Sequence, residues 1–122
     1  MAQILLVGRD WKTRALLRAQ LLEEGLDVEA HESVGAGLGD SEDAALLPLL
    51  LVADVSASGD PAAELDQLAR WSRRIPVWVI ASRSVIDEKS LQSRGFEAVL
   101  FLPIDLGKLV EQIKQRVART ST

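Results

Sequence analysis

Three runs in this chain are apolar almost without interruption: Gln3–Val7 (QILLV), Pro48–Ala53 (PLLLVA) and Pro76–Ala81 (PVWVIA). Runs of this length are strand-sized, and a strand with no polar face needs cover on both sides. A parallel sheet between two helical layers supplies that cover, because parallel neighbours are joined by crossover segments that lie over the sheet. Two further runs complete the set. Leu26–His31 (LDVEAH) alternates polar and apolar residues, as an edge strand does, and Ala98–Leu102 (AVLFL) is short and apolar.

Helical patterns with start and stop signals fill the spaces between the runs. Asp10 is placed to cap a helix that continues through Leu22, and Gly25 stands just past its end, where a left-handed residue is favoured. Asp60-Pro61 is a stronger start, a capping carboxylate followed by a proline whose missing N–H does no harm there. The helix after it sets Leu65, Leu68, Ala69 and Ser72 on one face and turns Arg70, Arg73 and Arg74 to water. Asp87–Arg94 (DEKSLQSR) predicts a shorter helix ending at Gly95. Leu106, Leu109, Val110, Ile113 and Val117 give the clearest helical spacing in the chain. Within Ser33–Leu47 (SVGAGLGDSEDAALL) the glycines oppose a helix at the start. A short helix near Ser41–Leu47 is expected there, with a second piece around Val34–Leu38.

Five strands alternating with helices in 122 residues predict a single domain spanning 1–122. The expected class is α/β, a doubly wound five-stranded parallel sheet with flavodoxin-like strand order 2-1-3-4-5 and helices on both faces. Function in such sheets belongs at the carboxyl ends of the central strands. Those ends carry Gly8, Arg9 and Asp10, then Asp54, then Ser82 and Arg83, then Leu102 and Pro103.

Composition removes several classes of function. The absence of cysteine excludes a disulfide framework, a thiolate zinc site and a cysteine nucleophile. A formal charge of −4 offers no basic footprint for nucleic acid. MAQILLVGRD has neither the basic start nor the apolar length of a leader peptide, and no run approaches the ~20 apolar residues of a membrane span. A cytoplasmic protein without membrane contact is the expectation. His31 is the single histidine, so a multi-histidine metal site is excluded, and at the end of an edge strand it is expected to be solvated. No G-x-S-x-G elbow accompanies it to support a hydrolase triad. Gly35, Gly37 and Gly39 follow the second strand with the wrong spacing for a dinucleotide fingerprint.

Blocks of this sequence, taken in order, resemble the receiver (CheY-like) domain of bacterial two-component response regulators. ILLVGRD is similar to the first strand and its turn, and LLEEGLDVEAHES to the first helix end and second strand. PLLLVADVSASGD resembles strand three with its aspartate, IPVWVIAS strand four, and GFEAVLFLPIDLGKLVEQI strand five with the last helix. The resemblance covers nearly the whole chain. It implies a phosphorelay signalling role in which an aspartate ending strand three accepts a phosphoryl group from a histidine kinase. Mg²⁺ held by an acidic pair after strand one, a Ser/Thr after strand four and a lysine after strand five would assist.

Position by position, Asp54 falls where the phosphoacceptor falls, and the rest of the pocket is degenerate. The acidic pair reads Gly8-Arg9, with Asp10 one place further along. The Ser/Thr position reads Ala81 with Ser82 next to it, and the lysine reads Leu102 before the retained Pro103. The aromatic of strand five reads Val99. A pseudo-receiver is the reading that follows, with no catalytic residue, no cofactor, weak or absent Mg²⁺ binding, and action through protein contact. The Arg9 guanidinium is expected to occupy part of the space of the metal and to pair with Asp54. An atypical working phospho-receiver with Asp54 as acceptor stays open, as does a small flavodoxin-like ligand-binding domain.

The expected partner is a protein, a histidine kinase or an output domain. The expected docking or homodimer face is helix four, strand five and helix five, running through Val85–Gly95, Ala98–Leu102 and Ile104–Val117. Three tryptophans stand out beside two Phe and no Tyr. Trp78 reads as core, Trp11 as a cap over the pocket, and Trp71 as core or a partner contact.

Overall fold

A computed structural model describes residues 2–38, 47–83 and 87–121. The chain alternates strictly: β1 (Ile4–Gly8), α1 (Trp11–Glu23), β2 (Val28–His31), α2 (Val34–Gly37), β3 (Leu50–Asp54), α3 (Pro61–Trp71), β4 (Val77–Ala81), α4 (Glu88–Gln92), β5 (Ala98–Phe101) and α5 (Leu106–Ser121). All five strands are parallel and the sheet order is β2-β1-β3-β4-β5. This is the order expected from the sequence. The helix expected near Ser41–Leu47 falls outside the described residues, apart from Leu47.

β1, β3 and β4 are buried along their whole length, as their apolar runs require. Side chains alternate between faces, so even- and odd-numbered strand positions feed two separate cores. Ile4, Leu6, Leu50, Val52 and Ile80 meet Leu17 and Leu21 of α1 and Leu109 and Ile113 of α5. Leu5, Val7, Leu51, Ala53 and Val79 meet Val34 of α2, Leu65 and Leu68 of α3, and Leu91 of α4.

Two helix starts carry the expected caps: Asp10 accepts from the Lys12 N–H at 3.2 Å and Asp60 from the Ala63 N–H at 3.2 Å; Asp87, expected inside its helix, instead caps it and accepts from the Lys89 N–H at 3.4 Å. Pro61 stands in the first turn of α3. α1 ends in a Schellman arrangement: Leu26 N–H donates to the Leu21 carbonyl, Gly25 N–H donates to the Leu22 carbonyl, and Gly25 has φ +82°.

Two expectations are corrected in detail. α4 is shorter than Asp87–Arg94, because Ser93 and Arg94 already form the turn that ends at Gly95, φ +85°. His31 is half-buried rather than solvated. Its ring stands close to Gly37, where an added Cβ would meet His31 Cδ2 at 3.2 Å, and its Nε2 lies 3.3 Å from Glu29 Oε1.

Candidate functional site

Parallel register brings the expected site residues to one edge of the sheet. Gly8 is the register partner of Asp54, Asp54 of Ile80, and Ala81 of Phe101. The chain is tied there by backbone bonds from Val55 N–H to the Ile80 carbonyl and from Leu102 N–H to the Ala81 carbonyl, both 2.9 Å. Gly8, Asp54, Ala81, Ser82 and Leu102 therefore share the carboxyl-terminal edge, and the Leu102–Pro103 peptide is cis.

Asp54 ends β3 and is the one buried charged residue among those described, 9% exposed. Its carboxylate is occupied locally. The Ser56 backbone N–H donates to Oδ1 at 2.9 Å, and the Ser56 hydroxyl donates to the same oxygen at 2.6 Å. Gly8 makes room for this arrangement, since a Cβ on residue 8 would stand 3.2 Å from Asp54 Cβ.

The ion pair expected between Arg9 and Asp54 is not formed. Arg9 is exposed and borders a cleft of about 200 Å³ with Ser58, Asp60, Glu64 and Gln67. Among the described residues it makes no ion pair. The physical reason is local. A serine two residues from Asp54 reaches the carboxylate with little loss of rotamer freedom, whereas a long arginine side chain must be immobilised to do so.

Asp10 is likewise committed elsewhere. It accepts from Thr13 Oγ1 at 2.8 Å and from the Lys12 N–H, and these bonds hold its carboxyl below the usual range, the Thr13 hydroxyl most of all. Arg14 donates to the Gly8 carbonyl beneath it. Trp11 does not cover the pocket. It is 63% exposed and turns to a groove between α1 and β2.

Arg83 is the cation nearest the end of β4, yet it serves the opposite face of the sheet. Its guanidinium lies 4.5 Å from the centre of the Phe101 ring and its Nη1 is 4.0 Å from Glu88 Oε2. Phe101 packs on the α2–α3–α4 core, whereas Asp54 continues the parity of Leu50 and Val52 toward α1 and α5. Leu102, at the lysine position of the resemblance, is 40% exposed.

A divalent cation of the Mg²⁺ kind wants near-octahedral oxygen donors at about 2.0–2.1 Å, with carboxylates among them. Gly8 brings no side chain, Arg9 brings a positive one, Asp10 is bound into the α1 cap, and one Asp54 oxygen already holds two donors. This donor set does not fit the ion. Among the described residues no group of three or more His, Cys, Asp or Glu is arranged to hold a metal.

Two features went unnoticed in the sequence. The Asp-x-Ser spacing at 54–56 is a known local hydrogen-bonding pattern and would have pointed to Ser56. At the other end of the sheet, Trp78 Nε1 donates to Glu97 Oε2 at 2.7 Å. Arg116 grips the same carboxylate in a bidentate pair at 2.7 and 2.8 Å. No local signal joins residues 78, 97 and 116. Trp78 is core, as expected, with this one polar handle; Trp71 is half-buried under the Arg74 guanidinium, 5.1 Å from the ring centre.

No protein-family model matches the chain, and no curated protein matches it. Solved structures do. A response regulator receiver domain protein (CheY-like) from Methanospirillum hungatei JF-1 is 19% identical with a TM-score of 0.76, covering 99% of this chain and 97% of that one. A response regulator receiver domain protein from Clostridium thermocellum is 16% identical with a TM-score of 0.75, covering 99% and 98%. NtrX from Brucella abortus, solved in complex with ADP, is 21% identical with a TM-score of 0.74. That match covers 98% of this chain and 27% of NtrX, so the chain spans about a quarter of that protein. No helix among the described residues is long and apolar enough to cross a membrane. Sheet order, the position of Asp54 and these structural likenesses together show that the chain has the fold of response-regulator receiver domains.

Proposed function

We propose that this chain is a receiver-type signalling module that acts by protein–protein contact, without Mg²⁺-dependent phosphoryl transfer to Asp54. The observation that carries this reading is the state of the Asp54 carboxylate, held by both donors of Ser56 and in no ion pair among the described residues. A carboxylate can approach a dianionic phosphoryl group only where cations neutralise the equatorial oxygens. Here Leu102 stands in place of an ammonium group, Gly8-Arg9 in place of an acidic pair, and Arg83 is drawn to Phe101 on the other face. The module has no enzymatic activity and no cofactor of its own, and it works in the cytoplasm.

The partner is a histidine kinase or an output domain, as the resemblance implies, and nucleic acid is not contacted directly. It docks on the face made by α4, β5 and α5. β5 is an edge strand, half-exposed at every position, and Leu102 extends it with an exposed apolar side chain.

Incubation with acetyl phosphate and Mg²⁺, read by intact mass, tests the reading. No added phosphate is expected. A stoichiometric adduct that disappears in Asp54→Asn would overturn it and establish a working phospho-receiver.

A further inference from the structure

The amino-terminal end of the sheet, away from Asp54, collects arginines where β4 and β5 begin. Arg70 stands in the last turn of α3, and Arg73 and Arg74 lie in the turn that leads into β4. The Ser72 hydroxyl is 3.4 Å from the Arg94 carbonyl, which brings the end of α4 to the same place. The Glu97 N–H donates to the Val77 carbonyl at 2.9 Å, and Arg116 of α5 holds the Glu97 carboxylate from the other helical layer. Arg119, one turn further along α5, lines with Arg116, Trp78, Glu97 and Ala98 an open hollow of about 460 Å³.

Six guanidinium groups at this end meet two carboxylates, Asp66 and Glu97, which pair with Arg94 and Arg116. The surplus is four positive charges in a chain of formal charge −4, so acids outnumber bases by eight over the rest of it. Arg70, Arg73, Arg74 and Arg119 are exposed, and neither Arg70 nor Arg73 forms an ion pair among the described residues. Asp40, Glu42 and Asp43 precede β3 and lie outside the described residues. The other side of the same end, at the α1–β2 turn, is acidic, with Glu23, Glu24 and Asp27, and Lys114 pairs with Glu24 at 3.0 Å where α5 meets α1. Folding does not call for the arginine surplus. Like charges held together oppose the compact state, and none of the four exposed arginines belongs to either core.

We propose that this end of the sheet is a docking site for an acidic segment of a protein partner, a run of Asp and Glu side chains received by Arg70, Arg73, Arg74 and Arg119. Guanidinium groups match carboxylates in paired hydrogen bonds, as Arg116 already does with Glu97, and arginine clusters are a recurrent means of reading acidic motifs. Two features favour a short acidic peptide over nucleic acid. The basic area gives way to Glu23, Glu24 and Asp27, which repel a phosphate backbone that runs on past it. Neither tryptophan here offers a face to a base, since Arg74 lies over the Trp71 ring and Trp78 is buried. The site adjoins the α4–β5–α5 face at Arg94 and Arg116 but centres on the α3–β4 turn, outside that face, and it does not depend on the state of Asp54.

Fluorescence anisotropy of a labelled oligoglutamate peptide, titrated with the full chain at low salt, tests the proposal. Saturable binding is expected, weakened by added salt and absent for an oligoglutamine peptide of equal length. Arg73→Glu with Arg74→Glu raises the dissociation constant at least about tenfold. Arg9→Glu with Lys12→Glu, the same change of net charge at the opposite end of the sheet, leaves it within about twofold, because salt screens charges at that distance. If the first pair melts well below the unaltered chain, Arg70→Glu with Arg73→Glu carries the same expectation. No saturable binding would overturn the proposal. So would equal losses in the two double variants, which report net charge alone, or tighter binding of a duplex DNA than of the peptide. Leu102→Ala removes an apolar side chain of the α4–β5–α5 face and is expected to leave peptide binding unchanged; binding lost there would move the site to that face and overturn this one. The acetyl phosphate experiment is unaffected by any of these results, so the two readings fail separately.

Discussion

Ser56 gives both its backbone N–H and its hydroxyl to one oxygen of Asp54, Oδ1, at 2.9 and 2.6 Å. The pair closes the turn after β3 and fixes the direction of the one buried charge among the described residues. A carboxylate at the end of a buried strand needs hydrogen-bond donors, and here the chain supplies them from two residues away.

Ser56→Ala removes the hydroxyl and leaves the backbone donor. The expected cost is about 0.5–1.5 kcal/mol, the ordinary net value of one hydrogen bond, read by urea denaturation. The variant is expected to remain unphosphorylated by acetyl phosphate, since the lost hydroxyl is not replaced by a cation. Phosphorylation of Ser56→Ala would show that this hydrogen bond alone keeps the site silent.

Arg9→Ala is expected to change stability by no more than about 0.5 kcal/mol, as for an exposed side chain with no ion pair among the described residues. A loss several times larger would mean that Arg9 does pair with a buried carboxylate in solution. Thermal melting of the two proteins side by side settles the point.

Glu97 predicts an acid-sensitive element. The Arg116 guanidinium, and after it the Trp78 indole N–H, hold its carboxyl below the usual range. A carboxylate lowered in the folded state adds stability above its unfolded value of about 4.3. That contribution is lost as pH falls through the lower, folded value. Glu97→Gln is expected to flatten this part of the acid limb of the stability curve. Glu97→Ala should cost about 1–3 kcal/mol at neutral pH, because it strands the buried Trp78 N–H. Denaturation at several pH values, followed by tryptophan fluorescence, separates the two effects.

Gly25→Ala isolates a backbone cost. Nothing lies within 4 Å of where the new Cβ would stand, so no packing clash contributes, but φ there is +82°. A loss of about 1–2 kcal/mol is expected from the left-handed conformation alone. Chemical denaturation at constant slope measures it, and a loss near zero would mean that α1 ends differently in solution.

Legibility from the sequence followed the range of the interaction involved. The apolar runs ending at Val7, Ala53 and Ala81 marked three doubly covered strands, and Asp10 and Asp60 marked two helix starts, because burial periodicity and capping act within a few residues. Val34–Leu38 carries opposed signals for the same kind of reason: its glycines disfavour a helix, while the Ser33 cap and the burial of Val34 in the core with Leu5, Val7, Leu65 and Leu68 sustain the short α2. Arg9 stands apart from Asp54, although opposite charges at one sheet edge suggest a pair, because the nearer Ser56 takes the carboxylate. Trp11 adjoins the pocket in sequence, but the rotation of the helix sets its side chain toward β2.

The order of apolar and capping residues pointed to the class of fold and to Asp54 at the carboxyl end of the third strand, since both follow from local periodicity, whereas the strand order and the pairing of Gly8 with Asp54 are set by how the crossovers pack. Which groups touch was decided only in three dimensions. Asp54 with Ser56, Arg83 with Phe101, and Glu97 with Trp78 and Arg116 depend on strand register, on the face each residue takes, and on the side-chain entropy lost in reaching a partner.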